Sequence, residues 1–394
     1  MDFRSEYYGR RLVANGFWAY YAYETPRDML LRRMPRVINI LTNADLLQIS
    51  KLFPDIIFRE NGDEPTCFIQ SEYPVHFYVS DYPADRAVRI PGIIEINKNA
   101  CKHAAAASLF TINSFFYDFE RDIFYDPLDA YPVFKQSIIR TTMSPERAAE
   151  NFPTITLKTA KILSETGFEI DRSLLDFLRN NRSLYNYNKI NVSIARNFFD
   201  ICVSGRAYEA LKLLDECGII DQLLPEVALL KSVDQDKDHH PEGNGFQHTL
   251  ECMKCVKRPN KTLMISILLH DTGKALTQAD RSNNKPFPNH STASRIIARN
   301  VLRRFYFNEE EIEEVSFLVH NHMILNAVDR LPERRLRTLF TSPYFPNLLE
   351  LYRADLKSSY HSVENYYHAA RVYREFKRKD KMRRQGFLKQ GFYT

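Results

Sequence analysis

The sequence predicts an α+β head with a small mixed sheet, then an all-α neck and body, then an all-α metal-binding domain. Three observations lead there. Strand-type runs are confined to the first third of the 394 residues. Helix signals follow one another from about residue 144 onward. Histidines and aspartates then recur on successive helical stretches. A chain of this length exceeds what one core holds and suits several domains.

The head is expected over 1–128. Short β-rich runs, Arg36-Val37-Ile38-Asn39-Ile40-Leu41 and Val75-His76-Phe77-Tyr78-Val79, alternate with helical stretches there. Pro54, Pro65, Pro74, Pro83 and Pro91 punctuate them, and Asp126-Pro127 suggests a boundary. A helical neck and body is expected over 129–230. Ser144-Pro145-Glu146-Arg147 reads as an N-cap, a proline at the first helical position and an acidic first turn. Helices are expected near 154–166, 171–180, 190–203 and 206–216. The metal-binding domain is expected over 231–370 and a basic tail over 371–394. No repeat or low-complexity tract appears.

Composition narrows the classes. Hydrophobic residues make up 44% and charged residues 26%, as in an ordinary globular protein. No apolar run approaches the roughly 18 residues that span a bilayer, and the N-terminus lacks a signal-peptide core. Six cysteines without a disulfide-like framework fit a reducing cytoplasm. A net charge of +5 permits a polyanionic partner without demanding one. The 22 Tyr and 27 Phe read mainly as core, although aromatics also stack on nucleobases.

The chemistry concentrates between 243 and 375. One helix, Phe246–Val256, carries His248; the next, Lys261–Leu269, ends in His270-Asp271 with Gly273 stopping it. His290 stands just before a helix from Ser291 to Phe305. Asn308-Glu309-Glu310-Glu311 is a capping-box pattern opening a helix to His322, and Asp355 lies on a last helix, Pro346–Ser359. Inward-facing donors from several helices can build a metal site. Mixed imidazole and carboxylate donors favour Mn, Fe, Co, Ni or Zn over Ca, with Mg kept as an option. Six donors, His248, His270, Asp271, His290, His322 and Asp355, exceed the needs of one ion. Two ions bridged by Asp271 would suit an in-line displacement at phosphorus. Lys274 reads equally as a solvated helix-end lysine or as a cation aimed at a phosphate. Cys252 and Cys255 form a lone C-x-x-C and read as two helix-face cysteines.

The ordered set His248, His270-Asp271, Asp355 resembles the HD superfamily of metal-dependent phosphohydrolases. His239-His240-Pro241-Glu242-Gly243, Gln247-His248-Thr249-Leu250, the run Leu268 to Lys274, Asn289-His290 and Leu318-Val319-His320-Asn321-His322-Met323 extend the likeness. Together they resemble the HD region of bacterial tRNA nucleotidyltransferases and poly(A) polymerase relatives, in which the histidine precedes Met. That favours His322 over His320. The likeness covers about 230–360.

The head is similar to the same family's nucleotidyltransferase head, with losses. Arg27-Asp28 stand where the family has them, but Tyr23 and Glu24 occupy the glycine positions of its phosphate loop. Val37-Ile38-Asn39 occupies its Asp-x-Asp strand. Ala107 to Asn113 keeps only the end of a later motif, and Phe152 to Lys158 replaces its base-contacting run. Val37 cannot ligate a metal and Asn39 is a poor ligand; Tyr23 and Glu24 crowd and repel a phosphate. The resemblance therefore implies an HD phosphohydrolase acting on nucleotides, 2′,3′-cyclic phosphates or RNA ends, with Asp271 and Lys274 central to catalysis and an inactive head. The alternatives are a tRNA nucleotidyltransferase that retains activity, for which Asp28 and Asp45 are the nearby carboxylates, or an RNA-binding pseudo-enzyme. A di-iron oxygenase is a minor option. Nucleotide or RNA, tRNA included, is the expected partner. His240 and the tail residues Arg374, Lys377, Arg378, Lys379, Arg383 and Arg384 are the expected phosphate contacts.

Overall fold

The computed structural model describes residues 3–58, 67–71, 73–80, 98–182, 190–233, 243–277, 287–359 and 362–390. The chain divides into two compact units. One comprises 1–155 and 166–181; the other comprises 156–165 and 182–394.

The first unit is built on a seven-stranded mixed sheet. Its strands are β1 (Ala19–Ala22), β2 (Ile38–Thr42), β3 (Ile57–Phe58), β4 (Cys67–Ile69), β5 (Val75–Val79), β6 (Phe116–Asp118) and β7 (Ile123–Tyr125), in the order β3-β4-β5-β2-β1-β6-β7. Only the β2–β5 pair is parallel, with Asn39 opposite His76; the other pairs are antiparallel. Both strand runs expected from the sequence sit at the centre of this sheet.

Strand periodicity explains the two faces. Tyr21, Ile38 and Ile40 turn to one cluster, shared with Leu12 of α1 (Phe3–Ala14) and Ile49 of α3 (Leu46–Leu52). Tyr20, Ala22 and Leu41 turn to the other, against Cys101, Ala104 and Ala105 of α4 (Lys98–Ala107). Between β1 and β2 runs α2 (Glu24–Leu30).

Beyond the sheet lie α5 (Tyr131–Lys135), α6 (Pro145–Asn151), α7 (Ile155–Thr166) and α8 (Arg172–Asn180). Ser144 caps α6 as its sequence requires, accepting from the Arg147 amide. One feature departs from the sequence expectation. Ile138–Ile139 (β8) pairs in parallel with Glu169–Ile170 (β9), so strand structure persists past residue 144. Two-residue strands are too short to show a period in the sequence.

The second unit is helical among the described residues. After α7 come α9 (Val192–Cys202), α10 (Ala207–Glu216), α11 (Ile219–Leu223) and α12 (Pro225–Ala228). Then follow α13 (Gly245–Lys254), α14 (Lys261–Leu269), α15 (Lys274–Thr277), α16 (His290–Arg304), α17 (Glu309–Asn321), α18 (Glu333–Thr341), α19 (Phe345–Ser358) and α20 (Glu364–Gln390). The axis of this unit is α14, whose residues Leu263 to Leu269 are all buried. A helix apolar on every side must be enclosed; α14 is packed by α9, α13, α16, α17 and α19.

Asparagine caps set the starts. Asn244, Asn260 and Asn308 each accept from the backbone amide three residues on, and Asn308 with Glu311 completes the capping box. No described helix is long and apolar enough to cross a membrane.

Candidate metal centre

Five helices and one turn deliver the donors. His248 lies in the first half of α13, His270 caps α14, and Asp271 opens the turn that follows. His290 is the first residue of α16, His322 caps α17, and Asp355 lies one turn from the end of α19. The exposures of His248, His270, Asp271 and His322 are all 2% or less.

Asp271 is the hub. Its Oδ2 lies 3.2 Å from His270 Nε2 and 3.8 Å from His248 Nε2. Its Oδ1 lies 3.5 Å from His290 Nε2 and 3.6 Å from His322 Nε2. Asp355 Oδ1 approaches His248 Nε2 at 3.1 Å. The donors thus fall into two groups on either side of one carboxylate. His248, His270 and Asp355 lie on one side, joined by Cys252; His290 and His322 lie on the other, with Asp271.

The outer nitrogens of three imidazoles are tied to backbone. His270 Nδ1 meets Ile267 O at 2.7 Å, His322 Nδ1 meets Val319 O at 2.7 Å, and His290 Nδ1 meets Phe287 O at 3.0 Å. A carbonyl only accepts, so each Nδ1 carries the proton and donates. That leaves each neutral ring a lone pair on Nε2, aimed at the centre.

These lone pairs collide unless something positive lies between them. His290 Nε2 and His322 Nε2 are 3.2 Å apart. His270 Nε2 is buried with no hydrogen-bond partner. Leaving such a group unmet costs about 1–3 kcal/mol. A divalent cation answers all of them at once, and the nitrogen and oxygen donors suit it. The residues present therefore fit a divalent-metal centre.

Among the described residues, Lys274 supplies a cation at Asp271. It opens α15, is 8% exposed, and holds Nζ 2.6 Å from Asp271 Oδ2 and 5.5 Å from the Phe287 ring. Burial opposes the lysine's charge, but Asp271 outweighs it and raises the ammonium above its ordinary value. Burial likewise opposes the Asp271 carboxylate, but His270 and Lys274 together hold it well below the usual carboxylate range. Of the two readings of Lys274, the solvated helix-end lysine does not hold.

Several features went unread in the sequence. Gly273 is no left-handed helix stop. A Cβ there would lie 2.3 Å from the His290 carbonyl and 2.6 Å from the Ser294 nitrogen, so glycine lets the turn after Asp271 press against α16. Ser358 and Ser359 place hydroxyls 3.4 and 3.5 Å from His248 Nδ1; being one helical turn beyond Asp355 is their only sequence signal. Cys252, read as a helix-face cysteine, has its thiol 3.5 Å from His248 Nε2. His322 joins the centre, and His320 is not in it.

The expected phosphate contacts do not join this centre. His240 lies outside the described residues. Arg374, Lys377, Arg378, Lys379 and Arg383 are exposed along α20, and the side chain of Arg384 lies outside what is described. That segment is one continuous helix. Tyr373 and Phe376 pack on Phe340 of α18.

The HD domain family model matches residues 245–355, which span every donor of the centre. The CC-adding tRNA nucleotidyltransferase of Thermus thermophilus is 34% identical over 165 residues, 39% of this chain and 36% of that protein. The match thus spans about a third of that relative's length. The fold agrees over a wider stretch. The Bacillus stearothermophilus CCA-adding enzyme in complex with CTP superposes with a TM-score of 0.60 at 16% identity, covering 93% of this chain and 80% of that one. A tRNA nucleotidyltransferase complexed with a primer tRNA and an incoming ATP analog gives 0.58 at 15% identity, covering 95% and 99%. The chain carries an HD domain over 245–355 and is similar, over part of its length, to tRNA nucleotidyltransferases.

The HD domain brings its candidate donors together, whereas in the head Asn39 and Asn113 meet Glu24. Asn39 is 2% exposed in β2; its Nδ2 donates to Glu24 Oε2 at 2.8 Å and its amide to Thr25 Oγ1 at 2.8 Å. Asn113 Nδ2 donates to the other Glu24 oxygen at 3.1 Å. Tyr23 keeps a φ of 58° and ψ of −120°, backbone that glycine adopts freely and other residues adopt at a cost of about 1–3 kcal/mol. The two nearby carboxylates are also engaged. Asp45 caps α3, and Asp28 pairs with Arg27 at 2.9 Å.

Proposed function

We propose that the chain is a metal-dependent phosphohydrolase acting at the HD centre, on nucleotides, 2′,3′-cyclic phosphates or RNA ends. The observation that carries this reading is the convergence of four imidazole Nε2 atoms, from His248, His270, His290 and His322, on the two oxygens of Asp271. A bound divalent cation would polarise a phosphate and acidify a water there. The chain's own residues do the rest. His248, His270, Asp355 and Cys252 face one side of Asp271, and His290 and His322 face the other. The backbone-held Nδ1 protons keep the three rings oriented with Nε2 towards Asp271. Lys274, held at Asp271, offers its ammonium to charge developing on a phosphate oxygen. The ions could be Mn, Fe, Co, Ni, Zn or Mg, one or two of them.

The division into a head (1–128), a neck and body (129–230), an HD domain (231–370) and a basic segment (371–394) belongs to the same reading. So does a cytoplasmic location, supported by six free cysteines. The basic face of α20 is a candidate contact for RNA phosphates.

A second reading, nucleotide addition to tRNA, is the one the comparisons favour. The relative and structures named above carry names for that activity, and the fold extends over almost the whole chain. Against it stands the Glu24–Asn39–Asn113 network, which has no carboxylate pair where the resemblance expects metal ligands. Two assays on the same purified protein separate the readings. Hydrolysis of a phosphate-ester panel including 2′,3′-cyclic AMP, lost in Asp271→Ala, supports the HD reading. Incorporation of CTP or ATP into tRNA lacking its 3′ end, with no hydrolysis, replaces it by the second.

A further inference from the structure

The thiol of Cys252 is not among the six histidine and aspartate donors, yet it points into their first group. Cys252 follows His248 by four residues on α13, so the two side chains stack on one face of the helix. Its Sγ lies 3.5 Å from His248 Nε2, the nitrogen that also faces Asp355 and Asp271. The ligand atoms of His248, Cys252, His270 and Asp355 all lie within 4.8 Å of one another. Cys252 is 1% exposed, and the neighbouring His270 Nε2 is buried and unpartnered. Zinc bonds of about 2.3 Å to sulfur and about 2.0–2.1 Å to nitrogen give a tetrahedral S···N edge of about 3.6 Å. The Cys252–His248 spacing is already that edge. Cys255 does not share the position; it caps α13 and is half-buried, so the C-x-x-C is not a chelating pair.

We propose that Cys252 is a thiolate ligand of the first cation position, with His248, His270 and Asp355. Coordination would exchange the S–H proton for a metal–sulfur bond, the proton leaving to solvent. Sulfur among nitrogen and oxygen donors shifts preference towards zinc-like ions and away from Mg and Mn. Ser358 Oγ lies 2.9 Å from Sγ and donates its own proton to the Asp355 carbonyl at 2.7 Å, so the metal-free thiol donates to Ser358. The inference rests on the metal-centre reading above.

The test loads the full chain with cobalt(II) and records its near-ultraviolet spectrum. A sulfur-to-cobalt charge-transfer band is expected in wild type and in Cys255→Ser, and not in Cys252→Ser. Zinc affinity of Cys252→Ser is expected to fall at least about ten- to a hundredfold, the range for losing even an outer-shell partner, with Mn(II) affinity unchanged. Stoichiometric cobalt without the band overturns the thiolate and leaves the metal centre standing. Failure of wild type to retain cobalt or zinc on equilibrium dialysis overturns both. Should Cys252→Ser not fold, zinc-edge X-ray absorption on wild type decides. A sulfur at about 2.3 Å is required, and a shell of nitrogen and oxygen alone refutes the proposal.

Discussion

Gly273 illustrates how much of the site depends on single positions. Its hydrogen is the only substituent that fits between the turn after Asp271 and the start of α16. Gly273→Ala is expected to destabilise the protein by about 1–3 kcal/mol, the usual cost of overpacking. It should also weaken metal binding, because the carbonyl in the way belongs to His290; thermal melting and metal titration check both effects. The buried imidazoles give a pH prediction. In the metal-free protein, burial first and His270 second push His322 down to about 3. An unfolded histidine titrates near about 6.5. The unfolded chain therefore binds a proton that the folded one refuses, and stability falls as pH drops from about 6.5 towards 3. The metal-free His322→Leu variant should show a flatter decline of melting temperature over that window. Residue by residue, the donors were legible in the sequence because histidine and aspartate before or within helices are conspicuous. Gly273's close approach, the serine partners of His248 and the place of Cys252 were not. Each depends on which atoms meet across helices, which no local pattern encodes.

Helix ends were the most readable elements, since their chemistry is local. Asn308 caps where the sequence analysis expects and its capping box closes on both sides, while Asn244 and Asn260 cap α13 and α14. Asn308→Ala should cost about 1 kcal/mol in stability and leave any hydrolytic rate intact, as chemical denaturation and assay would record. Leu268, enclosed on α14 at 1% exposure, should cost about 2–5 kcal/mol when changed to alanine. The short β8–β9 pair was invisible because two residues carry no period. The basic stretch after Arg371 was hard to judge for a different reason. Its charged residues hide the spacing of Tyr373, Phe376 and Asp380, which anchor α20 through Phe340 and an ion pair from Asp380 to Arg337.

At the scale of the whole molecule, the chain combines a fold like that of CCA-adding enzymes with an HD domain. The apolar alternation that builds the head sheet is intact, while its polar groups close on one another through Glu24, Asn39 and Asn113. In the HD centre the buried His270 Nε2 has no hydrogen-bond partner. The fold was legible because apolar patterning dictates it; the proposal that the head is inactive rests on Val37, Asn39, Tyr23 and Glu24, residues whose chemistry differs from what a phosphate and metal site needs. The most direct test is hydrolysis of 2′,3′-cyclic AMP by metal-loaded wild type and Asp271→Ala under identical conditions. The account predicts metal-dependent turnover in wild type that falls by at least about a hundredfold in the variant. Equal rates in the two proteins, or none from metal-loaded wild type on this ester or the wider panel, would contradict it.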